Sequence, residues 1–334
     1  MIKLGKKYSN RLARYNFIDL FAGIGGFRLA LESFGAKCVF SSEWDKHAKE
    51  VYRINFGEVP CDDITKIPEK DINKHDILCA GFPCQAFSIS GKQRGFEDAR
   101  GTLFFDILRV AKYHKPKVLF LENVRNFERH DRGRTLNVVV SSLKEMGYDI
   151  FHKVLNASLF GVPQKRERIY IVAFKKNLKV SNFEFPKFVG KPMKLLDVIL
   201  PDSKTQEYVI KREDIKLKKH VNVQIDLFGN YPLKPIRIGT VNKGGQGERI
   251  YHECGHAITL SAHGGGIGAK TGLYFVNNKV RKLAPKECAR IMGFPNNFKK
   301  PSSDHQAYKQ FGNSVVVDVL QHIILEIIKK NILK

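Results

Sequence analysis

At 334 residues and 38.1 kDa the chain is long enough for one large domain and a smaller one, and its 43% hydrophobic content is ordinary for a globular protein. No run approaches the roughly 20 apolar residues of a membrane span, and the basic start lacks the apolar core of a signal peptide; a cytoplasmic protein is expected. Lys+Arg 57 against Asp+Glu 33 gives a charge of +24 and a pI near 9.7, a field that draws polyanions, nucleic acid foremost, although lysine-rich codon usage produces the same excess.

Up to about residue 175, short apolar runs alternate with segments of helical spacing. Strands are predicted at 16–21, 38–43, 76–80, 118–122, 150–155 and 168–174, and helices at 27–34, 46–56, 102–114 and 135–146. Such alternation predicts an α/β fold with a doubly wound, mostly parallel sheet. The uninterrupted apolar Val118–Leu121 suits a central strand covered on both faces. From about 176 to 285 helical periodicity fades, Pro and Gly recur, and β-like pieces are expected at 236–241, 257–261 and 273–276; this reads as a smaller β-and-loop domain. After 285 a short helix is predicted over 285–292, opened by Pro285. Ser314 is read as the cap of a final apolar helix from 315 to 330. That helix needs a sheet to pack on, so the C-terminus is expected to rejoin the first domain.

Carboxyl ends of parallel strands share one rim, where ligands bind. The first strand opens there into Ala22-Gly23-Ile24-Gly25-Gly26, the third leads to Pro83-Cys84-Gln85, and the fourth delivers Glu122 and Asn123. Small residues in a strand–turn–helix let a nucleotide approach the backbone. Arg28 stands where the third glycine of G-x-G-x-x-G belongs, so a nucleoside without a tightly held pyrophosphate is expected. Glu43, 20 residues after Gly23, can accept from both ribose hydroxyls. Trp44 beside it either stacks on an adenine or packs in the core. S-adenosylmethionine suits this turn better than NAD. The six cysteines (Cys38, Cys61, Cys79, Cys84, Cys254 and Cys288) form no C-x-x-C pair, which fits a reducing compartment.

In order along the chain stand DLFAGIGGFRLA (19–30), SEWD (42–45), GFPCQAFSISG (81–91), LENV (121–124), QKRERIYIV (164–172), RKLAPKECARIMGFP (281–295) and QFGNSVV (310–316). Together they resemble the motifs of the cytosine-5 DNA methyltransferases. The resemblance implies a catalytic domain over 1–193, a target-recognition domain over 194–285, and a segment over 286–334 completing the first. It implies S-adenosylmethionine as cofactor, held by Phe21, Gly23, Ile24, Gly25, Gly26, Glu43, Trp44, Asp63, Ile64, Pro83, Leu103, Asn313 and Val315, with no metal. Cys84 would be the nucleophile that adds to carbon 6 of cytosine, since a thiolate is intrinsically strong in that role. Glu122 would bond N3 and the exocyclic amine, its carboxyl raised by desolvation. Arg168 would bind the O2 atom, and Arg166 would brace the catalytic group.

The target base must leave the duplex. Ser90 and Gln246 match positions that fill the gap, and Gly81, Gly91, Gly95 and Gly101 would let the catalytic loop close. Arg249 can contact guanine O6 and N7. The stretches GGQGERIY (244–251) and TLSAHGGG (259–266) resemble those of family members that read 5′-GCGC-3′, with the inner cytosine methylated, except that His263 replaces a tyrosine. Double-stranded DNA is therefore the expected partner, alongside a cognate restriction endonuclease, with the chain a monomer. The rivals are a transfer-RNA methyltransferase of the same fold and a non-catalytic DNA-binding paralogue. His252–His256 spells the zinc-protease H-E-x-x-H, but Gly255 inside it opposes the helix that zinc binding needs. Gly264–Thr271 approximates a P-loop, with Ala269 in place of its second glycine.

Overall fold

Four parallel neighbours and one reversed strand set the frame of a six-stranded sheet. The computed structural model describes residues 8–83, 103–187, 193–218, 232–263, 265–301 and 303–333. The chain divides into two compact units: one of Lys3–Leu155, Glu167–Pro186 and Leu320–Lys334, the other chiefly of Asn156–Arg166 and Lys187–Val319.

The first unit holds β1 (Asn16–Leu20), α1 (Gly26–Glu32), β2 (Lys37–Ser42), α2 (Lys46–Phe56), β3 (Ile77–Gly81), α3 (Leu103–His114), β4 (Val118–Val124), α4 (Arg134–Glu145), β5 (Tyr148–Asn156) and β6 (Glu167–Lys175). The strand order is β2-β1-β3-β4-β6-β5. β1 pairs in parallel with β2 and β3, and β3 with β4, while β6 runs antiparallel to β4. The expected mostly parallel α/β sheet is thus present. Its central strands are chiefly apolar because both faces are covered, with Asp19, Glu122 and Asn123 as buried polar exceptions: Leu78, Leu119 and Leu121 join Phe104, Ile107 and Val139 in one core, while Phe27 of α1 sets its ring edge-on to Phe120, 5.2 Å between centroids. Asp45 caps α2 by accepting from His47 and Ala48 N–H, and Gly57 ends it at φ 75°, both ordinary helix-end devices.

The second unit is built on a five-stranded sheet of β7 (Lys216–Leu217), β8 (Arg237–Thr240), β9 (Arg249–His252), β10 (Leu273–Val276) and β11 (Lys279–Arg281), in the order β11-β10-β9-β8-β7. Ile238, Val241, Ile250, Leu273 and Val280 form its core. The predicted strand at 257–261 is absent: only an isolated bridge pairs Ala257 with Gln164, because side chains capture this backbone. Gln164 Oε1 accepts from Leu260 N–H at 3.1 Å, and Arg166 Nη1 donates to Leu260 O at 3.1 Å.

Three helices follow, α5 (Pro285–Ile291), α6 (Asp304–Asn313) and α7 (Val317–Lys329). Ser314 closes α6 at φ −76°, ψ 165° instead of opening α7. The helix α6 was not foreseen, since polar Gln310 occupies a buried position and Gly312 lies within it. That glycine permits close contact: a Cβ there would meet Ala262 N at 2.6 Å. Asp304–Lys329 is long and apolar enough for a membrane span by composition, but 78% of its apolar 18-residue stretch is buried, as in core helices. In the first unit, Gln321 Nε2 of α7 donates to Ser33 Oγ at 2.8 Å.

One buried ion pair ties the β11–α5 connection together. Arg281 Nη1 and Nη2 each donate to Glu287 at 2.8 Å, and Glu287 also accepts from Ala284 N–H and Leu200 N–H at 2.7 Å. Arg281 and Glu287 are 1% and 0% exposed. Removing one partner strands a buried charge, so Glu287→Ala is expected to cost about 3–5 kcal/mol in denaturant unfolding, and the double replacement Arg281→Met, Glu287→Leu considerably less.

Candidate active site

The strand order reverses direction beside β1, and in open α/β sheets ligands bind outside the carboxyl ends of the strands at such a point. Register fixes what stands there: Leu20 lies opposite Ser42 and Ala80, and Gly81 opposite Glu122. The turn after β1, the end of β2, the approach to Cys84 and the acid of β4 therefore share one edge.

The turn itself has a left-handed backbone at Phe21 (φ 56°), Gly23 (φ 55°) and Gly25 (φ 84°). At Gly23 a Cβ would meet nothing within 4 Å, leaving open space above the turn. At Gly25, the N-cap of α1, a Cβ would sit 2.3 Å from Phe56 Cε2. Ile24 and Gly26 are buried beneath. Arg28 points away from the turn, its guanidinium 4.6 Å from the Phe56 ring centre and paired with Glu32 and Glu58 at 2.7 and 2.8 Å. The residue in place of a third glycine thus braces α1 against α2. Directly before the turn Asp19 is buried, and burial pushes its carboxyl well up, opposed by the Arg28 cation.

Glu43 directly follows β2 with both oxygens directed: Oε2 accepts from Gly23 N–H and Oε1 from Asp45 N–H, each at 2.8 Å. Trp44 is 73% exposed, which rules out the core-packing alternative and leaves a free indole face. Glu43 N–H donates to Cys61 O at 2.8 Å, and this brings the following Asp63 and Ile64 to the same edge. Asp63 caps the turn there by accepting from Thr65 N–H at 3.1 Å. Arg109 of α3, which no sequence signal marked, holds the stretch by donating to Ile64 O and Ile67 O. A carboxylate, an exposed indole and an open glycine turn suit a nucleoside.

Glu122 and Arg168 meet across the antiparallel β4–β6 ladder. Val124 is the register partner of Arg168 and Glu122 that of Tyr170, so the two side chains sit diagonally and Arg168 Nε comes to 3.2 Å from Glu122 Oε1. Asn123 follows Glu122 on the same strand end, as the apolar run 118–121 predicts. Its Nδ2 donates to Phe82 O at 2.9 Å, and Phe82 packs against Phe104 and Phe127. The chain is thus fixed two residues before Cys84, with exposed Pro83 between. Cys84 and Ser90, with Gly91, Gly95 and Gly101, lie outside the described residues. Leu103 is the first residue of α3 and is half-buried.

In the second unit, Arg166 is 2% exposed, and its guanidinium donates to Leu260 O, Gly312 O and Ser314 O at 3.1, 3.0 and 2.7 Å. It clamps the segment carrying exposed Asn313 and buried Val315. Gln246 is exposed on a turn, Arg249 opens β9, and His263 is exposed, its N–H on Ser261 Oγ at 3.2 Å. The two Gly-rich loops are in contact: Gly268 N–H donates to Gly247 O at 2.6 Å, and a Cβ on Gly247 would lie 1.9 Å from Gly265 O. His252 ends β9, and His256 Nε2 is 2.9 Å from Met193 O, so H-E-x-x-H lies on no helix. Among the described residues there is no group of three His, Cys, Asp or Glu side chains suited to a metal.

Burial pushes the Glu43 carboxyl up, while the Asp45 and Gly23 N–H groups pull it back. A carboxyl raised in the folded state favours folding while protonated, and that contribution is lost as pH rises. The stability of Glu43→Gln relative to wild type should therefore improve as pH climbs from about 4 to about 7. Denaturant midpoints at each pH provide the check, and a difference independent of pH contradicts this environment.

A family profile for C-5 cytosine-specific DNA methylases matches residues 15–329. Type II methyltransferase M.HhaI of Haemophilus parahaemolyticus is 58% identical over 317 residues, covering 95% of each chain. Type II methyltransferase M.HpaII of Haemophilus parainfluenzae is 44% identical over 333 residues, 96% of this chain and 91% of that one. Among solved structures, S. pombe Dnmt2 methyltransferase matches with a TM-score of 0.71 at 20% identity over 95% of this chain and 100% of that one. A putative DNA modification methyltransferase encoded within an E. coli prophage matches at 0.64 and 21%, over 94% and 99%. These two matches show the fold. By profile and by identity, the chain belongs to the C-5 cytosine-specific DNA methylases and is an enzyme, a DNA (cytosine-5-)-methyltransferase.

Proposed function

We propose that this chain methylates carbon 5 of the inner cytosine of 5′-GCGC-3′ in duplex DNA, through a covalent adduct of Cys84, as the modification half of a restriction–modification pair. The observation that carries the reading is the pairing of Glu122 with Arg168 at 3.2 Å, on the edge where β3 leads to Cys84, in a chain 58% identical to M.HhaI.

Phe21, Gly23, Ile24, Gly25, Gly26, Glu43, Trp44, Asp63, Ile64, Pro83 and Leu103 would hold S-adenosylmethionine, with Asn313 and Val315 from the last motif. When bound, this cofactor supplies an electrophilic methyl group. Carbon 5 of cytosine is a poor nucleophile until the Cys84 thiolate adds to carbon 6 and turns the ring into an enamine. Glu122 bonds N3 and the exocyclic amine, and Arg168 offers its guanidinium to O2, where negative charge develops. Arg166, with three carbonyls on its guanidinium, acts by bracing and not by touching the base. Loss of the carbon-5 proton and expulsion of the Cys84 sulfur release the product, and ordered water is our choice of base. Ser90 and Gln246 fill the gap left by the flipped cytosine, and Arg249 reads guanine, with His263 beside it. We further propose a catalytic region over 1–193 completed by 286–334, recognition over 194–285, a cytoplasmic monomer, and a restriction endonuclease of the same target as partner.

Bisulfite sequencing of DNA from cells expressing the chain is the test. Protection of the inner cytosine of every GCGC is expected, and its complete loss in Cys84→Ser. Protection at another sequence overturns the target. Methylated transfer RNA with unmodified DNA would favour the transfer-RNA rival.

A further inference from the structure

A covered lysine with a histidine for its partner stands beside the recognition loops. Lys270 is 9% exposed, although it lies at shallow depth, and its Nζ is 3.2 Å from Nε2 of exposed His305 on α6. Lys309, one turn further along the same helix, adds a second positive charge nearby. Burial first, and then Lys309, push the Lys270 ammonium down. Among the described residues no carboxylate pairs with Lys270 or His305; Asp304, the nearest acid in sequence, is engaged by Tyr208 Oη at 2.8 Å and Lys300 Nζ at 3.0 Å.

Covering an ammonium without a counter-charge is unfavourable. An imidazole carries no negative charge, so His305 leaves the ammonium uncompensated. The exposed His305 ring carries the pair to the protein surface. The pair is also joined to the recognition segment: Ser261 N–H donates to Lys270 O at 3.0 Å, two residues before His263, and the loop before Lys270 rests on Gly247. Packing of the lysine stem alone would account for its burial, but would not set an imidazole on the ammonium with a further lysine alongside.

We propose that Lys270 and His305, supported by Lys309, form a seat for one phosphodiester of the DNA strand, next to the loops that read its bases. The site rests on the DNA-methyltransferase reading above and adds to it a fixed backbone contact. Phosphate contacts position a protein on the duplex without carrying sequence information, so this seat sets the register from which Gln246, Arg249 and His263 address their bases.

The test is equilibrium binding of the full chain to a GCGC duplex and to a duplex of equal composition lacking GCGC, across a salt series. Lys270→Gln should weaken both several-fold by the same factor, and should flatten the slope of log affinity against log salt by about 0.9. Lys270→Arg should keep the slope. His305→Gln, altered at an exposed position and so safe for folding, should show a smaller loss, equal on both duplexes. Unfolding midpoints confirm that each variant is folded. An unchanged slope in folded Lys270→Gln overturns the seat, as does a loss confined to the GCGC duplex, which would make Lys270 a base reader. A wild-type chain that bound neither duplex would overturn the DNA reading and the seat together.

Discussion

The antiparallel pairing of β6 with β4 is the constraint on which the chemistry depends. In a wholly parallel sheet the carboxyl end of β4 would face the carboxyl end of its neighbour. Here the reversal brings the amino end of β6 to the same edge, and with it Arg168 beside Glu122. An acid and a guanidinium thus meet on rigid strands instead of loops. An active site needs such support, because transition-state stabilisation relies on groups that do not reorganise during reaction. Asn123, between them in sequence, holds Phe82 O, so one strand end both carries the acid and fixes the chain that leads to Cys84.

The same economy appears at the turn after β1. Glu43 accepts one backbone N–H from Gly23 and another from Asp45, which ties the end of β2 to the glycine turn before any ligand arrives. Each carboxylate oxygen retains a lone pair for a further donor. Arg28 locks α1 to α2 from below, and Arg109 pins the 64–67 stretch from the side. A surface assembled in this way suits a small ligand because little of it has to be ordered on binding.

Much of this was legible in the order of residues. Alternating runs located all six strands of the large sheet to within two residues at each end, and the central ones, covered on both faces, were the plainest because apolar continuity marks them. Glu43 and Trp44 could be placed because a strand end 20 residues beyond a glycine turn has few other positions to occupy. What escaped was decided by distant partners. The segment 257–261 has a strand-like composition, yet Gln164 and Arg166 capture its backbone from nearly a hundred residues away. α6 hides behind a buried Gln310 and an internal Gly312, which serves a close approach to Ala262. Arg109 and the Lys270–His305 contact carry no local signature, because each is a meeting of side chains that only the folded chain brings together.

The decisive measurement is covalent capture on DNA. A duplex with 5-fluorocytosine at the inner position of GCGC, incubated with the chain and S-adenosylmethionine, should form an irreversible adduct, because fluorine cannot leave carbon 5 as a cation. Digestion and mass analysis should place that adduct on the peptide containing Cys84. Fragmentation within that peptide, which also holds Cys79, should put the modification on Cys84; an adduct on Cys61, Cys79 or any other cysteine, or an active enzyme that forms none, would contradict the mechanism.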